Sequence, residues 1–493
     1  MSPLTNLSSH VPEELEFESG SYRDRSSRVV VRNGAIYRVL DAEAVRMWEA
    51  LQKSRFFSQA TERGDLVETT VPTNFSLAGV DPQQELSSEQ EWAGGQKWEG
   101  VLQHERIPFV SYPYEWTFGM LRDAGLLHLR LLREALQDDL ITKDGSAYNI
   151  QWHGTRPVFI DIGSFERYKP GHVWAGYRQF CQTILFPLML QAHRGVPFQY
   201  WMRGSLEGID LNAIRPLFKW REFWKPGVLV DVLLHAQLQG SQKGVPAQAE
   251  MKQAQTAGFN KEMVRNNLTR LEKILTRLTP RGADSHWVSY AGDNSYADAD
   301  ATLKQNFIER IAGQRHRQMV WDCGCNTGRF SRIMAKHSDQ VIAFDADLPT
   351  LESLYAALQS EGRSNILPLY LNIADPSPEQ GWRGCERRTV SERGKPDLVL
   401  ALALIHHLVI GANLPMREVI DWFASLRANL VIEFVSRQDP MVKSLLRNKT
   451  DNYWDYDEEL FRRLLETHFT IQETAPLNSG TRTLYYAEYR ATP

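Results

Sequence analysis

Two apolar, β-rich runs within residues 28–40 (RVVVRNGAIYRVL) flank Asn33-Gly34. Such runs about an Asn-Gly pair predict a β-hairpin. Residues 116–137 carry apolar positions at helical spacing and no proline, which predicts a helix. Residues 261–278 read as an amphipathic helix closed by Pro280. Beyond residue 318 the rhythm changes. Short apolar runs at 319–321, 341–344, 366–371, 398–404 and 430–435 are separated by stretches that include helical patterns at 330–336 and 348–360. Such alternation predicts βαβ units and a parallel sheet. Two β-rich runs, 469–473 and 483–489, flank Asn478-Ser479-Gly480 and predict an antiparallel finish to that sheet. The fold class is therefore α/β, with a doubly wound C-terminal sheet and an N-terminal α+β domain.

The weakly patterned stretches set the boundaries. Residues 1–20 are polar and acidic and read as a loose arm. Residues 61–100 are rich in Gly, Ser, Gln and Glu and read as irregular. Residues 239–258 (QGSQKGVPAQAEMKQAQTAG) form the clearest shift in composition. The expected division is an arm at 1–20, an N-terminal domain at 21–238, a linker and helix at 239–284, and a C-terminal domain at 285–493.

Charge narrows the function classes. The chain has 493 residues, with 56 Lys+Arg against 60 Asp+Glu, a formal net charge of −4. A nucleic-acid binder driven by electrostatics would carry a basic excess. Four scattered cysteines (Cys181, Cys323, Cys325, Cys385) make no disulfide framework. No run approaches the ~20 apolar residues of a membrane span, and the first residues lack the order of a signal peptide. The expectation is a cytoplasmic enzyme with a small-molecule partner and neither nucleic acid nor membrane. Nothing in the pattern fixes an oligomeric state.

The chemistry concentrates in VWDCGCNTGRFS, residues 320–331. An apolar run ends in Asp322, then Gly324, then Gly328, then a helical pattern. Glycines let a ligand approach the backbone closely, and the helix that follows offers free N–H groups. Asp345 ends the next apolar run, 17 residues beyond Gly328. A carboxylate there can accept hydrogen bonds from a ribose diol. Asn372 to Asp375 follow the third run, where an adenine edge would be read. G-x-G-x-x-G spacing is absent, which disfavours a dinucleotide-binding domain. Cys323 and Cys325 have no second Cys or His cluster beside them, so no metal site is expected.

On these residues the stretch 285–490 resembles class I S-adenosylmethionine-dependent methyltransferases. Asp322, Gly324 and Gly328 match the family's first motif, with Asn326 where a glycine usually stands. The resemblance implies S-adenosylmethionine as cofactor, Asp345 on the ribose and Asp375 on the adenine amino group. Tyr290, Tyr296 and Lys304 precede the first run and are candidates to close over the cofactor carboxylate. An ordinary packing segment is the other reading.

His406 and His407 follow the fourth run, and Glu433 lies in the fifth. A histidine beyond a strand's carboxyl end can act as general base, or it can be structural. In an extended stretch only one of the two would face the pocket, with His407 favoured.

In the N-terminal half, Asp144 and Asn149 have the D-x-x-x-x-N spacing of a kinase catalytic loop, and Asp161-Ile162-Gly163 resembles D-F-G. There is no glycine-rich loop and no V-A-I-K strand. A degenerate kinase-like fold and a substrate-binding or scaffolding domain both remain open. The segments 112–116 (YPYEW), Asn149 with Asp161, and 177–181 (YRQFC) are also similar to the NoeA-like family of long bacterial methyltransferases. That resemblance implies methylation of a small molecule in a secondary-metabolite or cell-surface pathway. A bifunctional kinase–methyltransferase and a non-catalytic cofactor-binding regulator are the alternatives.

Overall fold

A computed structural model describes residues 15–73, 98–225, 227–228, 231–232, 260–281, 298–362, 365–450 and 452–491. The N-terminal part opens with a five-stranded sheet of β1 (Leu15–Phe17), β2 (Ser27–Arg32), β3 (Ala35–Leu40), β4 (Thr69–Thr70) and β5 (Gly100–His104), in the order β1-β2-β3-β5-β4. The hairpin expected about Asn33-Gly34 is β2–β3, and both turn residues have positive φ, 51° and 77°. β1 begins inside the stretch read as a loose arm and pairs with β2, so that arm is shorter than its polarity suggested. The helix Phe118–Ala135 starts where the Thr117 side chain accepts from the Met120 N–H at 3.2 Å. It is wrapped by core on most of its faces, including Met120, Leu121, Leu132 and Ala135. Two small antiparallel pairs follow: the hairpin β7 (Ile150–His153) with β8 (Arg156–Phe159), and around it β6 (Leu140–Thr142) with β9 (Phe165–Arg167).

The helix Lys261–Arg277, read from sequence with the linker, packs on the N-terminal domain. Its Glu272 accepts from Arg133 at 2.5 Å, and Leu275 presses against Gly125 of the long helix. The composition shift at 239–258 lies outside the described residues.

The C-terminal domain carries a seven-stranded sheet: β10 (Arg317–Cys323), β11 (Ser338–Asp345), β12 (Ile366–Tyr370), β13 (Leu398–Ala401), β14 (Asn429–Val435), β15 (Phe469–Pro476) and β16 (Arg482–Tyr489). Its order is β12-β11-β10-β13-β14-β16-β15; β10 to β14 pair in parallel, and β16 is antiparallel to both of its neighbours, β14 and β15. This is the doubly wound, Rossmann-like sheet expected from the alternating pattern. Pro368 lacks an N–H and is placed on β12, an edge strand, where a missing ladder bond costs least. The chain runs outward from β10 to β12, then returns to lay β13 beside β10. The crevice at that reversal, beyond the strands' carboxyl ends, is where such sheets take ligands.

The two parts meet through buried polar and aromatic contacts. Arg393 and Glu115, with side chains 1% and 2% exposed, pair at 2.5 Å, and Ser377 Oγ donates to the same carboxylate at 2.7 Å. Trp152 packs edge-on to Tyr355 at 6.0 Å. The Gly119 N–H donates to Glu352 at 3.0 Å, and a Cβ at Gly119 would sit 2.7 Å from that carboxylate. The N-terminal domain thereby stands against the β12 side of the sheet.

Candidate functional site

The turn after β10 is left-handed at three points: Gly324 (φ 82°), Asn326 (φ 48°) and Gly328 (φ 74°). The N–H groups of Gly324 and Cys325 donate to Phe344 O at 2.9 Å each, which bends the loop over β11. Asn326, standing where the motif usually has glycine, keeps the left-handed backbone. Asparagine enters that region more readily than most residues, and its Oδ1 accepts from the Thr327 N–H at 2.7 Å. Gly324 and Asn326 line the cavity described below. Gly328 does not: it caps the helix Arg329–Met334, and a Cβ there would meet Leu354 Cδ1 at 2.6 Å. Its glycine answers to backbone and packing, not to ligand approach. Asp322 is also behind the wall. It is 1% exposed, accepts from Ser331 Oγ at 2.5 Å, and is pushed up to about 6 by burial. Asp322, which matches the first motif, thus anchors strand to helix from behind the cavity wall.

Asp345, at the end of β11, accepts from the N–H groups of Asn326 at 2.8 Å and Asp347 at 2.9 Å and borders the cavity. Burial raises its pKa despite those donors. Asn372 lines the same space, and its Oδ1 holds the Ala374 N–H at 3.0 Å. Asp375 departs from expectation. It is absent from the cavity wall, its side chain is 68% exposed, and Arg203 grips both carboxylate oxygens at 2.8 Å. The Arg203 hydrogen bonds hold its pKa down. The adenine-reading role is thus not built at Asp375.

Lys304, on the helix Asp298–Gly313, also lines the cavity and pairs with Glu433 at 2.5 Å. Glu433 is fully buried, takes the Ala403 N–H at 2.8 Å and faces Arg482 at 3.4 Å. Arg482 also pairs with Asp439 at 2.8 Å. Burial opposes the charge on Glu433, but Lys304 and Arg482 outweigh it and hold the carboxyl below its usual range. Burial lowers the Lys304 pKa by more than Glu433 restores. Lys304 and Arg482 line the cavity and Glu433 does not. Glu433, a candidate from its place in the fifth run, therefore positions two cations and does not itself line the cavity. Tyr290 and Tyr296 lie outside the described residues.

After β13 the chain turns through Ala403 (φ 50°) and enters a helical turn, His407–Gly411, with His406 as its cap. The stretch is not extended, so the two rings do not point to opposite sides. They lie 4.2 Å apart, tilted by 39°, and both line the cavity. Burial pushes His406 down to about 2 and also lowers His407, with Arg482 adding to the second shift. Both rings are accordingly neutral at neutral pH.

The cavity holds about 900 Å³, within the range of small-molecule sites. One wall is the sheet's carboxyl end. The other comes from Phe118, Gln191, Pro197 and Tyr200 of the N-terminal domain and from Arg281, just after the helix Lys261–Arg277. Nothing in the sequence pattern marked those residues or Arg482, because they meet the site only through tertiary contact. Asp144, Asn149 and Asp161 do not line it. Asp161 pairs with Arg38 at 3.4 Å, and burial, then Asp161, raises the Asp144 pKa. Among the described residues no three His, Cys, Asp or Glu side chains are grouped to hold a metal, and no helix is long and apolar enough to cross a membrane.

No family model matches the chain. The nodulation protein NoeA of Rhizobium meliloti (strain 1021) is 32% identical over 472 residues, 95% of either chain. This chain belongs to the NoeA family. Among solved structures, the N-methyltransferase NodS from Bradyrhizobium japonicum WM9 with S-adenosyl-l-homocysteine matches 42% of this chain and 100% of its own, at 14% identity and a TM-score of 0.30. The magnesium protoporphyrin IX methyltransferase ChlM from Synechocystis PCC 6803 matches 41% and 92%, at 17% identity and a TM-score of 0.29. Likeness at that level carries no weight for function. The site of this NoeA-family chain rests on its own geometry.

Proposed function

We propose that this chain is an S-adenosylmethionine-dependent methyltransferase acting on a small-molecule acceptor. The observation that carries the reading is one cavity at the β10/β13 reversal bordered by a left-handed Gly324–Asn326 turn, the Asp345 carboxylate and the Lys304 ammonium. The donor set fits the cofactor. Asp345 offers carboxylate oxygens to a ribose diol, Lys304 offers an ammonium to the amino-acid carboxylate, and the turn lets both lie against backbone. When bound, the cofactor supplies an activated sulfonium methyl.

The protein's own work is positioning and proton handling. In-line placement of acceptor and methyl supplies much of the rate. His407, neutral and at the cavity wall, takes the acceptor's proton. The N-terminal domain closes the second wall and so helps bind the acceptor. An acceptor from a secondary-metabolite or cell-surface pathway and a cytoplasmic location complete the reading. Calorimetry with S-adenosylhomocysteine tests it, followed by transfer from methyl-labelled cofactor to metabolite extracts. No binding of S-adenosylhomocysteine by folded protein overturns it.

A further inference from the structure

We infer that the short turn Trp220–Trp224 docks this protein on the headgroup layer of an anionic lipid bilayer. Trp220 and Trp224 are 69% and 79% exposed. An indole offers about 150–250 Å² to burial, so two of them left in water on one turn mark a contact surface. The turn is fastened to the domain. Phe218, just before it, is buried and packs edge-on to His193 at 6.3 Å. Glu222 accepts from the Lys219 N–H at 2.7 Å and from Arg194 at 3.2 Å. Lys225 Nζ meets His193 Nδ1 at 3.3 Å. These ties hold the turn by its middle and its ends and leave the indoles outside.

Charge selects the occupant. Residues 215–225 carry Arg215, Lys219, Arg221 and Lys225 against one acid, Glu222. That acid is buried and taken by Arg194, while Arg215, Lys219 and Arg221 are exposed. The Arg221 guanidinium lies over the Trp220 ring at 5.3 Å. The charge presented around the indoles is therefore positive, in a chain whose formal net charge is −4. Tryptophans beside exposed cations suit a bilayer surface, because the ring sits at headgroup level and each cation is drawn to anionic lipid. The turn has five residues, far short of the roughly 20–30 residues that a stable protein interface takes from each side. The expectation of no membrane partner rests on the lack of spanning runs, and a peripheral contact needs none. Placement gives the contact a use. Arg194 ends the helix Phe186–Arg194, and Gly195 and Pro197 after it line the cavity. Arg281, on the same wall, donates to His193 O at 3.2 Å. Docking through the tryptophans thus holds this wall of the cavity near the lipid surface.

Co-sedimentation of the full chain with lipid vesicles is the test. Vesicles of equimolar phosphatidylcholine and phosphatidylglycerol are expected to take the protein down, and vesicles of phosphatidylcholine alone to do so far more weakly. Lys219→Ala and Arg221→Ala are each expected to weaken binding to the anionic vesicles about fivefold. The double variant Trp220→Ala, Trp224→Ala is expected to lose vesicle binding and to unfold at the wild-type temperature, because both rings already stand in water. No binding of wild type to the anionic vesicles overturns the inference, as does equal binding to both kinds of vesicle or binding that survives loss of both tryptophans. A wild-type dimer that the double variant dissociates, with vesicle binding untouched, gives the turn to a second copy of the chain and also overturns it.

Discussion

Replacing Glu433 by glutamine keeps the shape of the side chain and removes its charge. Lys304 and Arg482, with side chains 6% and 5% exposed, then face each other across a buried amide, with Asp439 still paired to Arg482. Breaking a buried pair by removing one partner costs about 3–5 kcal/mol, a large share of the roughly 5–15 kcal/mol that holds a folded protein together. Solvent screening takes little from that figure, because Glu433 is itself fully buried. Lys304→Met breaks the same pair from the other side. The double variant is expected to lose less than the two single losses combined, with a coupling of about 0.5–3 kcal/mol for groups in contact. Equilibrium urea unfolding of the four proteins gives the cycle. The pH dependence has a fixed sign. The Glu433 carboxyl is held below its usual range, so its contribution is present above the unfolded value of about 4.3 and is lost as pH falls through the depressed folded value. Glu433→Gln should flatten that acid limb. Loss of under about 0.5 kcal/mol in Glu433→Gln, the size of an ordinary surface change, or additive single losses, would refute the positioning role.

Asp345→Ala removes the carboxylate that borders the cavity and is expected to weaken S-adenosylhomocysteine by roughly 1.5–3 kcal/mol, the range for hydrogen bonds to a charged group, as read by calorimetry. Gly328→Val places a branched side chain at φ 74° against Leu354; thermal unfolding should show a marked loss of stability, and cofactor affinity should fall only as far as the fold does. Asp161→Asn lies away from the cavity and is expected to leave methyl transfer near wild type, with no phosphoryl transfer from labelled ATP in either protein. His407→Ala is expected to lower turnover by about 10²–10⁴-fold at unchanged cofactor affinity; in wild type the rate should rise with pH through a value below that of a free histidine and be level around neutrality, because burial lowers the His407 pKa.

What the sequence made legible follows from where the information is local. The β2–β3 hairpin could be read because Asn33-Gly34 is itself the turn. The C-terminal strands could be read because each is a short, nearly continuous apolar run, as strands buried on both faces must be. Asp345, Gly324 and Asn326 were reachable because a strand end and the turn after it are neighbours along the chain. Asp375 was misplaced for a reason no local pattern holds: Arg203, 172 residues earlier, takes its carboxylate. The histidine pair was read on alternating geometry, but Ala403 turns the chain into a helix before them, and helical neighbours do not alternate. Glu433 was read by its strand position alone, and its two cations arrive from a helix before β10 and from the last strand.

The segment 112–116 shows the same limit from the other side. Its residues stand out in sequence as a dense aromatic cluster, and the cluster suggested a family feature without suggesting a task. In the fold it is a joint. Glu115 is buried under Arg393, Tyr112 lies beneath the same guanidinium at 4.5 Å, and the Tyr112 hydroxyl accepts from the Arg388 N–H at 2.9 Å. A buried ion pair is weak evidence for stability, but it resists displacement because either charge alone is costly to bury. That suits a joint that must fix one wall of a cavity relative to the other. The helix that follows, Phe118–Ala135, begins three residues beyond Glu115 and carries Phe118 into the cavity wall. The domain whose sequence said least about chemistry is thus tied, through this aromatic segment, to one wall of the cavity.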